Sequence, residues 1–397
     1  MAFRLAVVLS HPTQYYSPWF RWLRASTSLN FRVFYLWDAG VKATYDPQFQ
    51  QTFAWDVDLV SGYDHEFVVN TAGDPGTHHF GGLRNPELLA RLADYQPAAM
   101  LLFGYKSPSH LRAIAWARSR SLPIIFRGDS HLLGRTRLAV PAYLALRLLY
   151  SQFAAFVYVG EANRDYFTAL GVRSEKLFFA PHAVDPVLFD STNQEHKSRA
   201  SLLRQELGIK PSTRVLIYVG KLTATKQPGA LLAAFTAMRV PNTALIFVGD
   251  GEEKSSLLEQ AEREKTDNVH FLPFTNQREI PSRYLAADIF VLPSRGNYET
   301  WGLAVNEAMQ MGLPCLVSDL VGCQRDLVTD DETGWVFRAY DAAHLKERLR
   351  TALTVDLDVF KPRVVERIAN YSYAAATAGL LQGIRIANGR ATEETIA

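Results

Sequence analysis

Short apolar runs separated by amphipathic stretches fill the first half of the chain. Each run has the length of one strand, and parallel strands that are buried on both faces have this continuous apolar character. The stretches between them carry apolar residues at helical spacing, so strands and helices alternate, which predicts a parallel α/β sheet. The predicted strands are Arg4–Leu9, Phe31–Leu36, Glu66–Val69, Met100–Phe103, Pro123–Phe126, Ala154–Val159 and Lys176–Ala180.

The same alternation restarts after a polar and charged stretch, residues 190–201. A chain of 397 residues is too long for one ordinary core, so we expect two α/β domains with a boundary near Pro181–Asp185. The second set of predicted strands is Val215–Gly220, Ala244–Val248, Val269–Phe274, Asp288–Leu292 and Pro314–Ser318, and the predicted helices after them are Ala342–Leu353, Lys361–Asn370 and Tyr373–Ile386. Ligands of open α/β sheets lie beyond the carboxyl ends of the strands, so candidate site residues follow each strand directly.

Composition narrows the class of protein. The net charge of +2 argues against nucleic acid as a partner. Cys315 and Cys323 are the two cysteines and have neither a disulfide framework nor metal-site spacing, which favours a reducing, cytoplasmic location. The first apolar run, Leu5–Leu9, is too short for a signal peptide. The apolar segment 138–159 contains proline and arginine, so we interpret it as a helix, Pro141–Tyr150, followed by a strand.

The candidate chemistry centres on two glutamates after the predicted strand Asp288–Leu292. Glu299 precedes a helix and Glu307 lies within it, with seven residues between them. Eight helical steps span about 12 Å, which is close to the distance from the transferred sugar of a nucleotide-sugar to its ribose. Free backbone amides at residues 301–303 would face the diphosphate. The alternative is that Glu307 is a surface carboxylate and Glu299 merely favours a helix N-terminus.

The residues around this pair resemble a known signature. Glu299 and Glu307 enclose Gly302, and the second glutamate is followed by Gly312 and Pro314. This pattern is similar to that of retaining glycosyltransferases of the GT-B fold, glycosyltransferase family 4.

The resemblance covers residues 212–340 well and the first half weakly. It implies the GT-B fold, in which two Rossmann-like, doubly wound parallel-sheet domains face a central cleft. An N-terminal domain, 1–183, would lie on the acceptor side and be completed by a C-terminal helix, 371–390, that crosses back onto it. The domain 184–370 would bind the nucleotide-sugar.

Two lysines follow the first strand of the second half. Lys221 and Lys226 lie in a loop before a helix that begins near Pro228, which suits a diphosphate clamp, although paired lysines are also common on solvated surfaces. The resemblance implies that Lys221, Lys226 and Glu299 are catalytic. The implied donor contacts are Gly220, Lys221, Lys226, Gly249, Leu272, Phe274, Glu299, Thr300, Trp301, Gly302, Leu303 and Glu307.

The loop after the first strand lacks the glycine-rich sequence usual in the family. It carries His11, Gln14 and Tyr15 instead, which suggests contact with the acceptor or the sugar through side chains. The alternative is that the aromatic residues cover the edge of the domain and His11 caps a turn.

Charged residues follow the predicted strand Pro123–Phe126. Arg127 is a candidate for an anionic acceptor or for a structural pair with Asp129, and the resemblance implies that either Asp129 or His131 acts at the sugar. The alternative is that Asp129 caps the next helix.

The resemblance therefore implies a retaining glycosyltransferase that needs neither metal nor cofactor. It also favours a UDP-sugar as donor and a glycan, glycolipid or other lipid-linked hydroxyl as acceptor, in polysaccharide or glycoconjugate biosynthesis. Basic amphipathic segments at Gly134–Arg137 and Trp19–Arg24 suggest peripheral contact with the cell membrane, although ordinary helix packing also explains them. Two other functions remain open: a GT-B sugar-nucleotide 2-epimerase and a non-catalytic GT-B partner protein.

Overall fold

A computed structural model describes residues 3–46, 48–135, 138–296 and 299–389. The first half contains the strands β1 (Arg4–Leu9), β2 (Asn30–Tyr35), β3 (Thr44–Asp46), β4 (Gln51–Phe53), β5 (His65–Phe67), β6 (Ala99–Phe103), β7 (Ile124–Arg127), β8 (Ala155–Tyr158) and β9 (Leu177–Phe179). Its helices are α1 (Tyr16–Ser26), α2 (Leu88–Tyr95), α3 (Pro108–Ser119), α4 (Val140–Tyr150) and α5 (Glu161–Ala169).

The second half has the strands β10 (Arg214–Val219), β11 (Thr243–Val248), β12 (Val269–Leu272), β13 (Ile289–Leu292), β14 (Cys315–Ser318) and β15 (Gly334–Phe337). Its helices are α6 (Gln194–Glu206), α7 (Pro228–Met238), α8 (Lys254–Arg263), α9 (Ile280–Leu285), α10 (Leu303–Gln310), α11 (Gln324–Leu327), α12 (Ala342–Thr354), α13 (Phe360–Ala369) and α14 (Tyr373–Ala387).

The strands form two parallel sheets, as the sequence predicts. The first has the order β5-β2-β1-β6-β7-β8-β9 and the second β12-β11-β10-β13-β14-β15. Helices cover both faces of each sheet, so central strands such as β1 and β10 are buried along almost their whole length. This burial on both faces is the reason why their sequences are continuous apolar runs.

The last helix, α14, packs on the first sheet. Leu380 and Ile384 are fully buried there, and the indole of Trp19 donates to the hydroxyl of Thr377 at 2.9 Å. Helix α14 thus lies where the sequence predicts a crossing helix, and residue 390, the predicted end of that helix, lies outside the described residues. The predicted boundary at 183/184 falls in the connection between β9 and β10.

Two sequence predictions about membrane contact have different outcomes. The prediction that Trp19–Arg24 contacts the membrane is wrong, because Trp19, Phe20 and Leu23 are buried in the core of the first domain. The segment Gly134–Arg137 precedes α4, and its last two residues lie outside the described residues. Among the helices that the structure describes, none is both long enough and apolar enough to cross a bilayer.

Candidate active site

A cavity of about 360 Å³ lies between the two sheets, beyond the carboxyl ends of their strands. This volume is in the range of small-molecule sites. Both domains contribute side chains. Those from the first half are Gln14, Tyr15, Asp46, Phe49, Trp55 and Asp129, and those from the second half include Lys221, Lys226, Phe274, Thr275, Gln277, Glu299, Thr300, Trp301, Leu303 and Glu307. Gly220, Gly249 and Gly302 line it with backbone.

Helix α10 directs its N-terminus into this cavity. Gly302 precedes the helix with a φ of +100°, a left-handed conformation that favours glycine, and a Cβ there would lie 2.9 Å from the side chain of Val321. Among the described residues, no side chain caps the helix and its first turn holds no acidic group. The free amides and the helix dipole therefore favour an anion at this end of the cavity.

Glu299 forms an ion pair with Lys226 beside that helix end. The carboxylate accepts from the ammonium of Lys226 and, at 2.7 Å, from the hydroxyl of Ser294. Glu299 is 8% exposed, so its charge is balanced mainly by these two donors. The two predicted catalytic side chains are thus in direct contact, and each is within reach of a ligand in the cavity.

Glu307 lies deeper, between two tyrosine hydroxyls. Tyr15 of the first domain donates to one carboxylate oxygen at 3.0 Å, and Tyr284 donates to the other at 2.8 Å. Burial raises the pKa of Glu307 to about 7, although these hydrogen bonds and one with Gln277 lower it. A side chain that is 3% exposed is not the surface carboxylate of the alternative interpretation.

Lys221 faces an acidic group from the other domain. Its ammonium lies 3.1 Å from a carboxylate oxygen of Asp46 and donates to Gln48 at 2.7 Å. The loop that carries Lys221 is pressed against the next one, because a Cβ on Gly249 would lie 2.0 Å from the carbonyl oxygen of Gly220. Glycine at 249 thus allows the two loops to form one wall of the cavity.

Asp129 and His131 take different positions. The carboxylate of Asp129 lines the cavity and accepts from the hydroxyl of Thr300 at 2.8 Å. The buried His131 accepts from the amide of Leu133 at Nδ1, so its Nε2 carries the proton and donates to the carbonyl oxygen of Glu299 at 3.1 Å. Burial also lowers the pKa of His131, which keeps the ring neutral. This geometry favours Asp129 for contact with a sugar and gives His131 the task of holding the Glu299 backbone.

Of the residues predicted to bind the acceptor or the sugar, some line the cavity and others do not. Gln14 and Tyr15 line the cavity. The ring of His11 instead packs against Trp37 and is bonded to Ser10, and burial lowers its pKa to about 4. Neither His11 nor Arg127 is among the described residues that line the cavity.

The prediction that Arg127 binds an anionic acceptor is wrong. It is 2% exposed, and its guanidinium donates to the carbonyl oxygens of Ala180 and Pro181 at 2.7 and 3.3 Å. The side chain ties the end of β7 to the connection between the domains, and it lies over the ring of Trp19. In this position the guanidinium is not available to an anionic sugar acceptor in the cavity.

Of the predicted donor contacts, Leu272 is not among the described residues that line the cavity, whereas Trp301 and Phe274 line it. The carbonyl oxygen of Leu272 accepts from the amide of Gly249 at 3.1 Å, so it is already bonded within the wall of the cavity. The indole of Trp301 donates to Asn306 at 2.7 Å. Phe274 lines the cavity with its ring.

Sequence reasoning missed one group of residues completely. Asp46, Gln48, Phe49 and Trp55 belong to the connection between β2 and β5 and approach the second domain. The only signal in the sequence was a turn-forming Asp-Pro pair between polar and aromatic residues, and such a pair does not indicate contact with another domain.

A separate group of possible metal ligands lies away from the cavity. The ligand atoms of Asp74, His78 and His79 are within 4.8 Å of one another on an exposed loop. His79 accepts from the amide of Gly81 at Nδ1, so Nε2 carries the proton and donates to the backbone carbonyl of Asp74. That hydrogen-bonding pattern does not leave Nε2 free for a metal.

The comparisons with known proteins agree with this architecture. The family model described as glycosyl transferases group 1 matches residues 200–372. The chain is 26% identical over 314 residues to the sulfoquinovosyl transferase SQD2 of Arabidopsis thaliana, covering 74% of this chain and 57% of that protein. It is 31% identical over 206 residues to the D-inositol 3-phosphate glycosyltransferase of Nocardia farcinica, covering 49% and 45%. The chain thus spans about half the length of these curated relatives.

Among solved structures, Anabaena HepE in complex with UDP and glucose superimposes with a TM-score of 0.68. The match covers 98% of this chain and 100% of that one at 18% identity. At this identity the likeness concerns the fold alone, and it confirms the predicted GT-B architecture.

Proposed function

We propose that the chain, whose residues 200–372 match the family model described as glycosyl transferases group 1, is a retaining glycosyltransferase using a nucleoside diphosphate-sugar. UDP is the favoured nucleotide, in keeping with the UDP complex of the similar HepE structure. The acceptor is a hydroxyl of a glycan, a glycolipid or another lipid-linked molecule, in glycoconjugate or polysaccharide biosynthesis.

One observation carries this proposal: Lys226 and Glu299 are paired beside the uncapped N-terminus of α10, inside the cavity between the domains. A diphosphate leaving group develops negative charge as the sugar is transferred, and positive groups aimed at it stabilise that charge. The ammonium groups of Lys226 and Lys221 and the backbone amide of Leu303 are such groups. Glu299, once released from Lys226, is free to accept from sugar hydroxyls.

The remaining side chains supply positioning. Glu307 accepts from the hydroxyl of Tyr15, and ribose hydroxyls are the same kind of donor. Asp129 faces the cavity from the acceptor side, where its carboxylate orients or polarises the acceptor hydroxyl. The hydroxyl attacks the sugar from the same face that the leaving group departs from. The sugar therefore retains its anomeric configuration, and no carboxylate nucleophile is needed.

The same charges support a reaction without a metal or cofactor. Two ammonium groups and a helix dipole provide the positive field that a divalent ion gives other transferases. We therefore propose that sugar transfer proceeds at full rate in the presence of a chelator of divalent metal ions.

An exposed apolar stripe on helix α4 favours a lipid-linked acceptor. Val140, Leu144 and Leu148 repeat every fourth residue and are 59–70% exposed, so one apolar stripe of the helix faces outward. Arg147 lies beside them, and cationic residues flanking an apolar stripe are typical of helices that lie in a bilayer surface. We propose that this face of the first domain contacts the cytoplasmic membrane surface.

The test is a screen of nucleotide-sugars by thermal shift, because a ligand that binds only the folded protein raises its melting temperature. The best donor is then incubated alone. Slow hydrolysis supports the transferase, epimerised nucleotide-sugar identifies the epimerase, and the absence of binding by any nucleoside diphosphate leaves a non-catalytic partner protein.

A further inference from the structure

A two-stranded hairpin of the first domain reaches over the cavity. Its strands are β3 (Thr44–Asp46) and β4 (Gln51–Phe53), paired antiparallel and separate from both sheets. It lies in the connection between β2 and β5, so it is an addition to the first domain. Its side chains nevertheless contact the second domain.

Aromatic side chains fix the hairpin to the loop after β12. The rings of Phe49 and Phe53 lie 4.8 and 4.5 Å from that of Phe274, and Trp55 lies 6.2 Å from it. Pairs at these distances contribute about 0.5–1.5 kcal/mol beyond their buried area. The hairpin therefore has its own anchor and does not depend on the ion pair that it makes.

Two hydrogen bonds extend this anchor. The side-chain amide of Asn276 donates to the carbonyl oxygen of Ala54 at 2.8 Å, and the backbone amide of Arg278 donates to the carboxylate of Asp56 at 3.2 Å. Both link the segment after β4 to the second domain. The hairpin is thus held at its base while its tip lies at Lys221.

At the tip, the two oxygens of Asp46 have different partners. Oδ1 accepts from the amides of Gln48 and Phe49 at 2.8 and 3.0 Å, which closes the turn. Oδ2 lies 3.1 Å from the ammonium of Lys221, which also lies 4.9 Å from the ring centroid of Phe49. The Oδ2 oxygen of Asp46 thus contacts Lys221, whereas the turn uses only Oδ1 as an acceptor.

We propose that the hairpin is the first domain's part of the donor site and that Asp46 occupies the place of a donor phosphate on Lys221. This inference rests on the proposed function. Donor binding exchanges the carboxylate for a phosphate oxygen at Lys221, and Phe49, held at Phe274, stays over the bound nucleotide. The carboxylate of Asp46 thus competes with the donor for Lys221.

The experiment compares UDP binding to the wild-type protein and to Asp46→Asn by isothermal titration calorimetry. Asparagine keeps the Oδ1 acceptor that closes the turn and removes the charge. Asp38→Asn is the matched control, because Asp38 pairs with Lys42 on the same segment but does not line the cavity. Asp46→Ser, which keeps a shorter acceptor for the turn, is the second variant in case the first fails to fold.

The inference predicts that UDP binds Asp46→Asn about fivefold more tightly, as expected for loss of a competing, partly exposed ion pair, and that Asp38→Asn binds as the wild type does. Equal or weaker binding by Asp46→Asn would overturn the inference alone, because Asp46 would then have no effect on UDP binding or would orient Lys221 for the donor. If neither the wild type nor the variants bind UDP or GDP, the proposed function fails, and the inference fails with it.

Discussion

Replacing Glu307 with glutamine tests whether the buried carboxylate destabilises the folded protein at neutral pH. Its side chain is almost fully buried between Tyr15 and Tyr284. Burial raises its pKa from 4.5 to about 7 against the opposing effect of its hydrogen bonds. Glutamine has nearly the same shape and can still accept from one of the two hydroxyls, but it cannot ionise.

The sign and the magnitude follow from that pKa. Between pH 4.5 and 7 the folded protein keeps the proton of Glu307 while the unfolded chain loses it, so the free energy of unfolding falls as the pH rises through this window. One pKa unit is worth about 1.4 kcal/mol, so the loss is on the order of 3 kcal/mol by pH 8. Glu307→Gln removes this loss. Relative to the wild type, the variant should be more stable at pH 8 than at pH 4.5 by that amount.

Urea unfolding followed by tryptophan fluorescence at both pH values measures the difference. The cost of the hydrogen bond lost in the variant is present at both pH values and cancels. Glu259→Gln, on an exposed position of α8, serves as the control and should leave the pH dependence unchanged. If Glu307→Gln and the wild type have parallel pH profiles, Glu307 is ionised with an ordinary pKa and the reasoning about its burial is wrong.

Four further predictions concern the proposed activity. Lys226→Ala and Glu299→Ala should each lower turnover at least about 100-fold, or about 2.7 kcal/mol, in a protein that remains folded; full activity of either variant would contradict the assignment. His131→Ala should lower kcat about tenfold, as expected for the loss of the buried hydrogen bond to Glu299, and leave the Kd for UDP unchanged, since its ring is hydrogen-bonded to the backbone of Glu299 and Leu133 and is not among the described residues that line the cavity; an altered pH profile would instead indicate proton transfer by His131. The double variant Leu144→Glu/Leu148→Glu should lose sedimentation with vesicles of anionic phospholipid and keep its affinity for UDP, whereas equal sedimentation of both proteins would exclude α4 as the membrane face. Transfer measured in EDTA should match transfer in Mg²⁺, and a loss in EDTA that Mg²⁺ restores would show a metal requirement.

The sheets were predictable because buried parallel strands have a continuous apolar sequence. The runs at Arg4–Leu9 and Val215–Gly220 required no knowledge of their neighbours, and the structure places strands there. The hairpin strands Thr44–Asp46 and Gln51–Phe53 were missed because they are short, mostly polar and partly exposed. Their stabilising contacts come from Phe274, more than 200 residues away, and a local pattern carries no information about such a partner.

The site was predictable to the extent that one segment contains it. Glu299, Gly302 and Glu307 lie on one loop and helix, so their spacing places them correctly along the cavity. Arg127 and His131 follow a strand as active-site residues often do, and nothing in their own segment shows that backbone carbonyl groups occupy them. Whether a polar residue faces a cavity or ties two segments together depends on groups that only the folded chain brings near.

A crystal structure of the protein with UDP would show directly where the diphosphate lies. Phosphate oxygens should lie within about 3 Å of the ammonium of Lys226 and the amide of Leu303, with the ribose hydroxyls at Glu307. UDP bound elsewhere, or Lys226 still paired with Glu299 while the diphosphate lies away from α10, would contradict the proposed donor site.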